Sequence, residues 1–428
     1  MSVLEIARLQ FATTTIFHFL FVLLTLGLVT LLVVLQTTWA ITKKPMYERQ
    51  TRFWGRLYVI NYFLGIATGV VLELQFGMSW SGLSHYLGNV FGAPLAMETI
   101  VAFFLESTFL GLWIFGWGRL NRWVHTALIW LVALTAYLSV FWIMVANSFL
   151  QNPVGYEKGA DGVIRLTDLG ALVTNKSLVM ALPHVVFAAI TAGGFVMAGI
   201  SAWHFIRRTQ EVEFFRKSLR LGVLTSTIGG IMVVGFGYAQ FGFLGDIQPT
   251  KFGDDAAKAA AAAEFTAQFG PGVYTMPAYA GLGLGLMILI GNLLGLWIFF
   301  VPLFFRDWII RWRFPLYLLV MAIPLPFLAA IFGWLIREGG RQPFAAYGLL
   351  RLDQAITPGG SPGSMLTSYL IFTGILAALA ITDWVLIARV AARGPVDPQP
   401  GALTPLAGPF ASRPAPPRAA LDQPSPLA

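Results

Sequence analysis

Runs of about twenty apolar residues, parted by short polar or basic stretches, recur along nearly the whole chain. They predict nine helices, roughly at 11–38, 55–77, 93–117, 126–147, 181–206, 220–244, 275–304, 315–337 and 367–389. Each is long enough to cross the ~30 Å hydrocarbon core of a bilayer at ~1.5 Å per residue. The expected fold class is therefore an all-α integral membrane protein, with residues 1–392 forming one nine-helix bundle. The first apolar run is too long for a cleavable signal peptide and lacks a basic start and a cleavage site. No repeat of 20–50 residues is visible. Residues 393–428 hold ten prolines and read as a disordered tail.

Composition strengthens this reading. Of 428 residues, 57% are hydrophobic and 11% charged, which is far from soluble-globular usage. The absence of cysteine excludes disulfides, thiolate metal sites, iron–sulfur clusters and covalent haem attachment through CxxCH. The net charge of +8 does not point to nucleic acid, because the basic residues follow the loops. Lys43, Lys44, Arg49, Arg52 and Arg56 come after helix one, and Arg119 and Arg122 after helix three. Arg207, Arg208, Arg216, Lys217 and Arg220 follow helix five; Arg306, Arg311 and Arg313 follow helix seven. The alternate loops carry none in 78–92, three in 148–180, two in 245–274 and two in 338–366. The positive-inside rule then places the N-terminus outside and the C-terminus in the cytoplasm.

Ionisable side chains inside the predicted helices change the picture most, because each is costly in a bilayer and marks a functional candidate. They are His18, Glu73, Glu98, Glu106, His184, Glu338 and Asp383. The predicted orientation puts His18, Glu73, Glu98, His184 and Glu338 near one outer level, with Glu106 about 12 Å deeper than Glu98. Histidines and carboxylates converging there suit a haem or metal centre. For any one of them the plainer reading is an interhelical hydrogen bond. His85, His125 and His204 fall in loops or at helix ends and read as interfacial.

Several long stretches carry a family likeness: RLQFATTTIFHFLFVLLTLGL (8–28), LELQFGMSWSGLSHYLGNVFGAPLAMETIVAFFLESTFLGLWIFGW (72–117), LSVFWIMVANSFLQNPVG (138–155), GISAWH (199–204) and GWLIREGGRQPF (333–344). On these the chain resembles subunit I of the cytochrome bd-type quinol oxidases, in the form with a short quinol loop. The resemblance implies a low-spin haem b, a high-spin haem b and a haem d or further b haem. His18, Glu98 and Glu338 match residues of the two-haem oxygen-reducing centre, and His184 matches a ligand of the low-spin haem. Trp334 matches a tryptophan among the haems, and Arg341 a partner for haem propionates. Glu106, Ser107 and Ser139 resemble a proton route from the cytoplasm, although both serines also suit plain helix packing. The implied partners are quinol, O2, a second membrane subunit and small single-helix subunits, in a bacterial cytoplasmic membrane.

The chain also departs from the family pattern. In YAGLGLGLMILIGN (279–292), Met287 fits the second low-spin ligand, while the usual arginine position falls at Gly285. Met287 also suits simple packing, and Met276 is the fallback ligand at the outer helix end. The outer loop 245–274 corresponds to the quinol loop, with Asp246 and Lys251 in GDIQPTK as quinol-contacting candidates. Ala256 stands where a glutamate is usual, with Asp254 and Asp255 beside it, and Phe344 replaces a tryptophan after GRQP. The alanine-rich DDAAKAAAAAEF reads as a short helix or a mobile segment. The expected function is a terminal oxidase that couples quinol oxidation outside to O2 reduction with cytoplasmic protons. A haem-binding homologue without quinol oxidation, and an ion-coupled transporter using the same carboxylates, remain as alternatives.

Overall fold

The computed structural model describes residues 1–396, and for residues 101–103 the backbone alone. The proline-rich tail therefore lies outside the described residues from position 397 onward. The chain runs α1 (Val3–Thr42), α2 (Pro45–Met78), α3 (Ser81–Glu98), α4 (Ser107–Phe115) and α5 (Arg122–Gln151), with a π-helical segment, Thr99–Glu106, joining α3 to α4. A hairpin β1 (Tyr156–Lys158) and β2 (Ile164–Leu166) follows, then α6 (Leu169–Val173), α7 (Lys176–Ile206) and α8 (Val212–Ala239). Next come α9 (Phe241–Ile247), α10 (Pro249–Phe252), α11 (Asp255–Phe269), α12 (Ala278–Leu296) and α13 (Val301–Phe304). The last group is α14 (Arg313–Ala322), α15 (Leu325–Trp334), a π-helical segment Leu335–Gly339, the hairpin β3 (Phe344–Ala346) and β4 (Leu350–Arg351), α16 (Leu352–Ala355) and α17 (Pro362–Arg393).

Eight helical stretches among the described residues are long and apolar enough to cross a membrane: Val3–Thr42, Pro45–Met78, Arg122–Gln151, Leu169–Ile206, Val212–Ile247, Ala278–Phe304, Arg313–Gly339 and Pro362–Arg393. The run 81–115 is continuously helical but changes winding twice, at Glu98 and again at Glu106. Its start corrects the reading of 78–92 as a loop. The chain turns at Ser79 and Trp80, whose amides both bond to the Gln75 carbonyl, and helix resumes at once. Two more elements were not predicted: the hairpins lie in connecting segments too short for any apolar period to reveal them. The alanine-rich stretch is the regular helix α11, capped by Asp254, whose carboxylate accepts from the Ala257 amide at 2.8 Å.

α1 is the axis of the bundle, packing on α2, α5, α7, α15 and α17. Its contact with α7 is backbone against backbone. A side-chain carbon at Gly27 would fall 2.3 Å from the Ala189 carbonyl oxygen, and one at Gly193 would fall 2.6 Å from the Gly27 carbonyl carbon. Lipid tails are as apolar as leucine, so helices in a bilayer associate through such close packing rather than through hydrophobic exclusion. The basic loops meet at one end of the bundle. Arg49 pairs with Glu211 at 2.8 Å, Arg52 stacks over Trp117 at 4.0 Å, and Arg216 and Arg220 share Asp307 at 3.0 and 2.9 Å.

Gly193→Leu should cost about 3 kcal/mol or more through overpacking at this crossing, read as a lower thermal midpoint in detergent. Gly374→Ala, at an α17 position with open space around it, should leave the midpoint level or slightly raised. Equal midpoints for both variants would contradict the packing argument.

Candidate functional site

One cavity of about 670 Å³ opens between α1, α2, α3, α5 and the α15–β3 segment. Its wall includes His18, Glu73, Glu98, Glu106, Ser139, Trp334, Glu338 and Arg341. Four of the five residues expected at one level thus share a cavity, and Glu106 joins them. His184 and Met287 are not on this wall, although Val185 is. Three of the acids lie in or beside π-helix: Glu98 immediately precedes one such segment, Glu106 is its last residue, and Glu338 lies in the other. π-turns are rare and recur at functional sites.

Hydrogen bonding separates the histidines into two kinds. His18 Nδ1 lies 3.0 Å from Thr68 Oγ1, and that hydroxyl already donates to the Gly65 carbonyl at 2.6 Å. The imidazole must therefore donate from Nδ1, which leaves the Nε2 lone pair toward the cavity. His184 Nδ1 lies 2.8 Å from the Val233 carbonyl, which can only accept. Its Nε2 is likewise an unprotonated electron-pair donor. Nε2 of a neutral imidazole, with Nδ1–H held by an oxygen, is the arrangement metal-ligating histidines use. Glycines let the neighbouring helices close over both rings, with Gly69 and Gly237 each placing their α-carbon side against a ring edge.

The other buried histidines are occupied. His125 donates from Nε2 to the Trp113 carbonyl at 2.8 Å and accepts from the Gln36 amide at 2.9 Å on Nδ1. His204 donates from Nε2 to the Ala391 carbonyl at 2.8 Å and stacks on Phe215. Both sit near helix ends as expected, but they are buried ties between helices rather than interfacial groups.

The acids have distinct partners. Ser139 donates to Glu98 at 3.1 Å, and Glu73 is in hydrogen-bonding contact with the same carboxyl. Ser139, read alongside Glu106, is thus placed on Glu98. Glu106 is buried and receives the Tyr58 hydroxyl at 3.5 Å, while Tyr62 and Ser107 share a hydrogen bond at 3.2 Å. Glu338 accepts from Asn147 at 2.8 Å, from Gln151 at 3.4 Å and from Arg341 at 2.5 Å. Arg341 is 6% exposed, yet its Nε and Nη1 have no partner among the described residues. The Trp334 indole N–H is buried and unpaired in the same way. Buried donors aimed at a cavity and left unsatisfied fit an anionic occupant such as a haem carboxylate. The donor set therefore fits haem: imidazole and carboxylates for iron, a guanidinium for propionate, and an aromatic wall.

Sequence reasoning missed four contributors. Arg8 lines the cavity, bonds to the Gln342 side-chain oxygen and leaves its Nε unpaired. Tyr58 and Tyr62, one turn apart on α2, supply hydroxyls to the Glu106 region. Arg337, within its span, is held by Asn147 at 2.5 Å and by Ser148 and Ser177. A cation in an apolar run is a visible signal; the tyrosines carry none. Met287 lies with its sulfur against Gly333. Gly285 is exposed, with open space around it.

The loop 245–274 is tied to this cavity. Gln248 donates to both the carbonyl and the side-chain oxygen of Gln151 at 2.9 Å, and Gln151 in turn reaches Glu338. Lys251, 5% exposed, donates to the Thr275 carbonyl at 3.1 Å and to the Gln342 carbonyl. Asp246 is exposed on α9. Phe344, fully buried, packs against Phe265, Phe269 and Tyr274 at 4.9–5.8 Å and so pins α11 to the hairpin.

Burial pushes the Lys251 ammonium down to about 8 from 10.5. Between these values the undocked loop holds the proton and the docked loop does not, so docking strengthens as pH rises from about 8 toward 10.5. Limited proteolysis of α11 should therefore slow over that window in wild type and lose the trend in Lys251→Met. Faster cleavage with rising pH would contradict it.

Comparison with known proteins bears on the same residues. A family model described as "Cytochrome bd terminal oxidase subunit I" matches residues 6–275 and 271–395. The chain is 36% identical over 427 residues to "Cytochrome bd ubiquinol oxidase subunit 1" of Bacillus subtilis (strain 168), covering 87% of this chain and 90% of that protein. It is 42% identical over 251 residues to "Cytochrome bd-II ubiquinol oxidase subunit 1" of Escherichia coli (strain K12), covering 58% of this chain and 49% of the relative. The solved bd oxidase from Geobacillus thermodenitrificans shares the fold, with TM-score 0.80 at 24% identity, over 92% of this chain and 99% of its own. The family match spans the helices that build the cavity and the loop 245–274 that docks on it, and this chain belongs to the cytochrome bd terminal oxidase subunit I family.

Proposed function

We propose that this chain, as the subunit I of a terminal oxidase, takes electrons from a quinol at the outer face and delivers them to O2 in the large cavity. The observation that carries this is the pair of histidines, His18 and His184, each with Nδ1–H tied to an oxygen and Nε2 left as an electron-pair donor. His18, Glu98 and Glu338 would hold the two-haem centre, with Arg341 and Arg8 facing propionates. His184 with Met287 would hold the low-spin haem. The haems, when bound, supply electron transfer and oxygen reduction. The third haem as a d or a further b type, the second membrane subunit and a bacterial cytoplasmic membrane belong to the same reading.

The topology completes it. The run 81–115 is the ninth span, so the basic loops gathered at one end lie in the cytoplasm and the N-terminus lies outside. Lys251, Asp246 and Gln248 are then on the outer side, where quinol releases its protons. Protons for O2 come from the cytoplasm past Ser107 and Tyr62 to Glu106, which sits deeper than Glu98 on the same helix. Glu106, freed of any cation partner among the described residues and bonded to the Tyr58 hydroxyl, is suited to carry a proton rather than a fixed charge. Ser139 then orients Glu98, the next carboxyl along. Separating the two proton exchanges across the membrane stores energy without a pump.

Reduced-minus-oxidised spectra of the purified complex should show b-type bands, and His184→Ala should remove the low-spin one. His18→Ala and Glu98→Ala should disturb the high-spin bands and leave the low-spin band in place. Glu106→Gln should keep every band but lower quinol-dependent O2 consumption by about 10²-fold, the lower range for losing a proton-transfer group. Haem bands without O2 consumption on any quinol would reject the quinol oxidase reading. Unchanged spectra in both histidine variants would reject the ligand assignment.

A further inference from the structure

A second, smaller cavity of about 80 Å³ lies between α1, α2 and α17. Its wall is apolar, with Phe17, Phe21 and Leu24 from α1 and Trp384 from α17, except at Asn61 and Asp383. Asp383 is 2% exposed, and its Oδ1 has no hydrogen-bond partner among the described residues. It lies ten residues before the end of α17 at Arg393, so about 15 Å into the span. A carboxyl at that depth must be neutralised or hydrated, since neither lipid nor the surrounding phenyl rings can solvate it.

Asn61 supplies the link to the rest of the site. Its amide hydrogens go to the Phe21 carbonyl at 2.9 Å and to Thr25 Oγ1 at 2.8 Å. Its oxygen is then the acceptor left for the small cavity. Thr25 lines the large cavity, as does Tyr62, the next residue after Asn61. One hydrogen-bonded pair, Asn61–Thr25, therefore separates the small cavity from the one that holds Glu106.

We propose that Asp383 and this cavity form a hydrated proton-holding site that serves the large cavity alongside the Glu106 route; the proposal rests on reading the chain as an oxidase. Water takes about 10–15 Å³ of such space per molecule, so several fit. A metal cation is the poorer occupant, because hard cations take about six or more oxygen ligands and only Asn61 and Asp383 offer side-chain oxygens here. In the working step the Asp383 O–H bond breaks as its proton passes to a cavity water. That water releases another proton past the Thr25 hydroxyl, and the carboxylate is reprotonated by water from the cytoplasmic side. No electrons move.

The test uses the complete oxidase complex, with reduced-minus-oxidised spectra as the check on haem loading. Infrared spectra in H2O and D2O should show a carboxyl carbonyl band that shifts on exchange and is missing in Asp383→Asn. O2 consumption should fall several-fold in that variant with the haem bands intact, and Asp383→Glu should restore both readouts. An unchanged exchangeable band, or wild-type turnover, in a haem-loaded Asp383→Asn protein would overturn the proposal. If Asp383→Asn loses its haems, Asn61→Leu replaces it: the apolar side chain should expel the water and slow exchange of the Asp383 band, and unaltered exchange would overturn the proposal. Missing haem bands in the wild-type complex would instead refute the oxidase reading itself.

Discussion

Hydrocarbon offers no hydrogen bond, so every polar group inside this bundle must find its partner within the protein or face a cavity. That single constraint sorts the interior. Gln36, His125 and Trp113 satisfy one another completely and tie α1, α4 and α5 together. The Gln50 amide nitrogen likewise ties α2 to α8, donating to the Phe214 carbonyl and to Ser218. Where partners are missing, at Arg341, Trp334 and Asp383, a cavity is present. At those three positions the unmet groups face space that something other than protein can fill.

The two histidines show how finely the constraint acts. A histidine in a helix can be a brace or a ligand, and residue type does not tell which. His125 and His204 spend Nε2 on a backbone carbonyl; His18 and His184 spend Nδ1 on an oxygen and keep Nε2. The choice is made by a neighbouring helix, through Thr68 on α2 in one case and Val233 on α8 in the other. The small residues Gly69 and Gly237 are needed for those helices to approach at all.

The loop 245–274 and the cavity form one hydrogen-bonded unit. Gln248 reaches Glu338 through Gln151, and Lys251 closes on the carbonyls of Thr275 and Gln342. The loop lysine is therefore a clamp on the chain that follows Arg341. The departures Ala256 and Phe344 fit this arrangement. Phe344 is the centre of the aromatic cluster that seats α11, and Ala256 is an ordinary first-turn residue of that helix. Asp254, its neighbour, is committed to the helix cap.

Much was legible in the sequence because a bilayer imposes length and apolarity on every span, and both are one-dimensional properties. Eight of the long helices and the short list of acids and histidines within them follow from that alone, whereas the alanine-rich stretch that became α11 read equally as a short helix or a mobile segment. The long matching stretches likewise pointed to the family. What the sequence could not decide was pairing. Ser139 with Glu98 instead of Glu106, Arg8 with Gln342, Tyr58 with Glu106 and Gln248 with Gln151 join residues tens to hundreds of positions apart. The π-helical winding from Thr99 to Glu106 and the two hairpins also have no apolar period to announce them. Hydropathy is summed along the chain and can be read there. A hydrogen bond depends on where two distant atoms come to rest, and only the packed helices determine that.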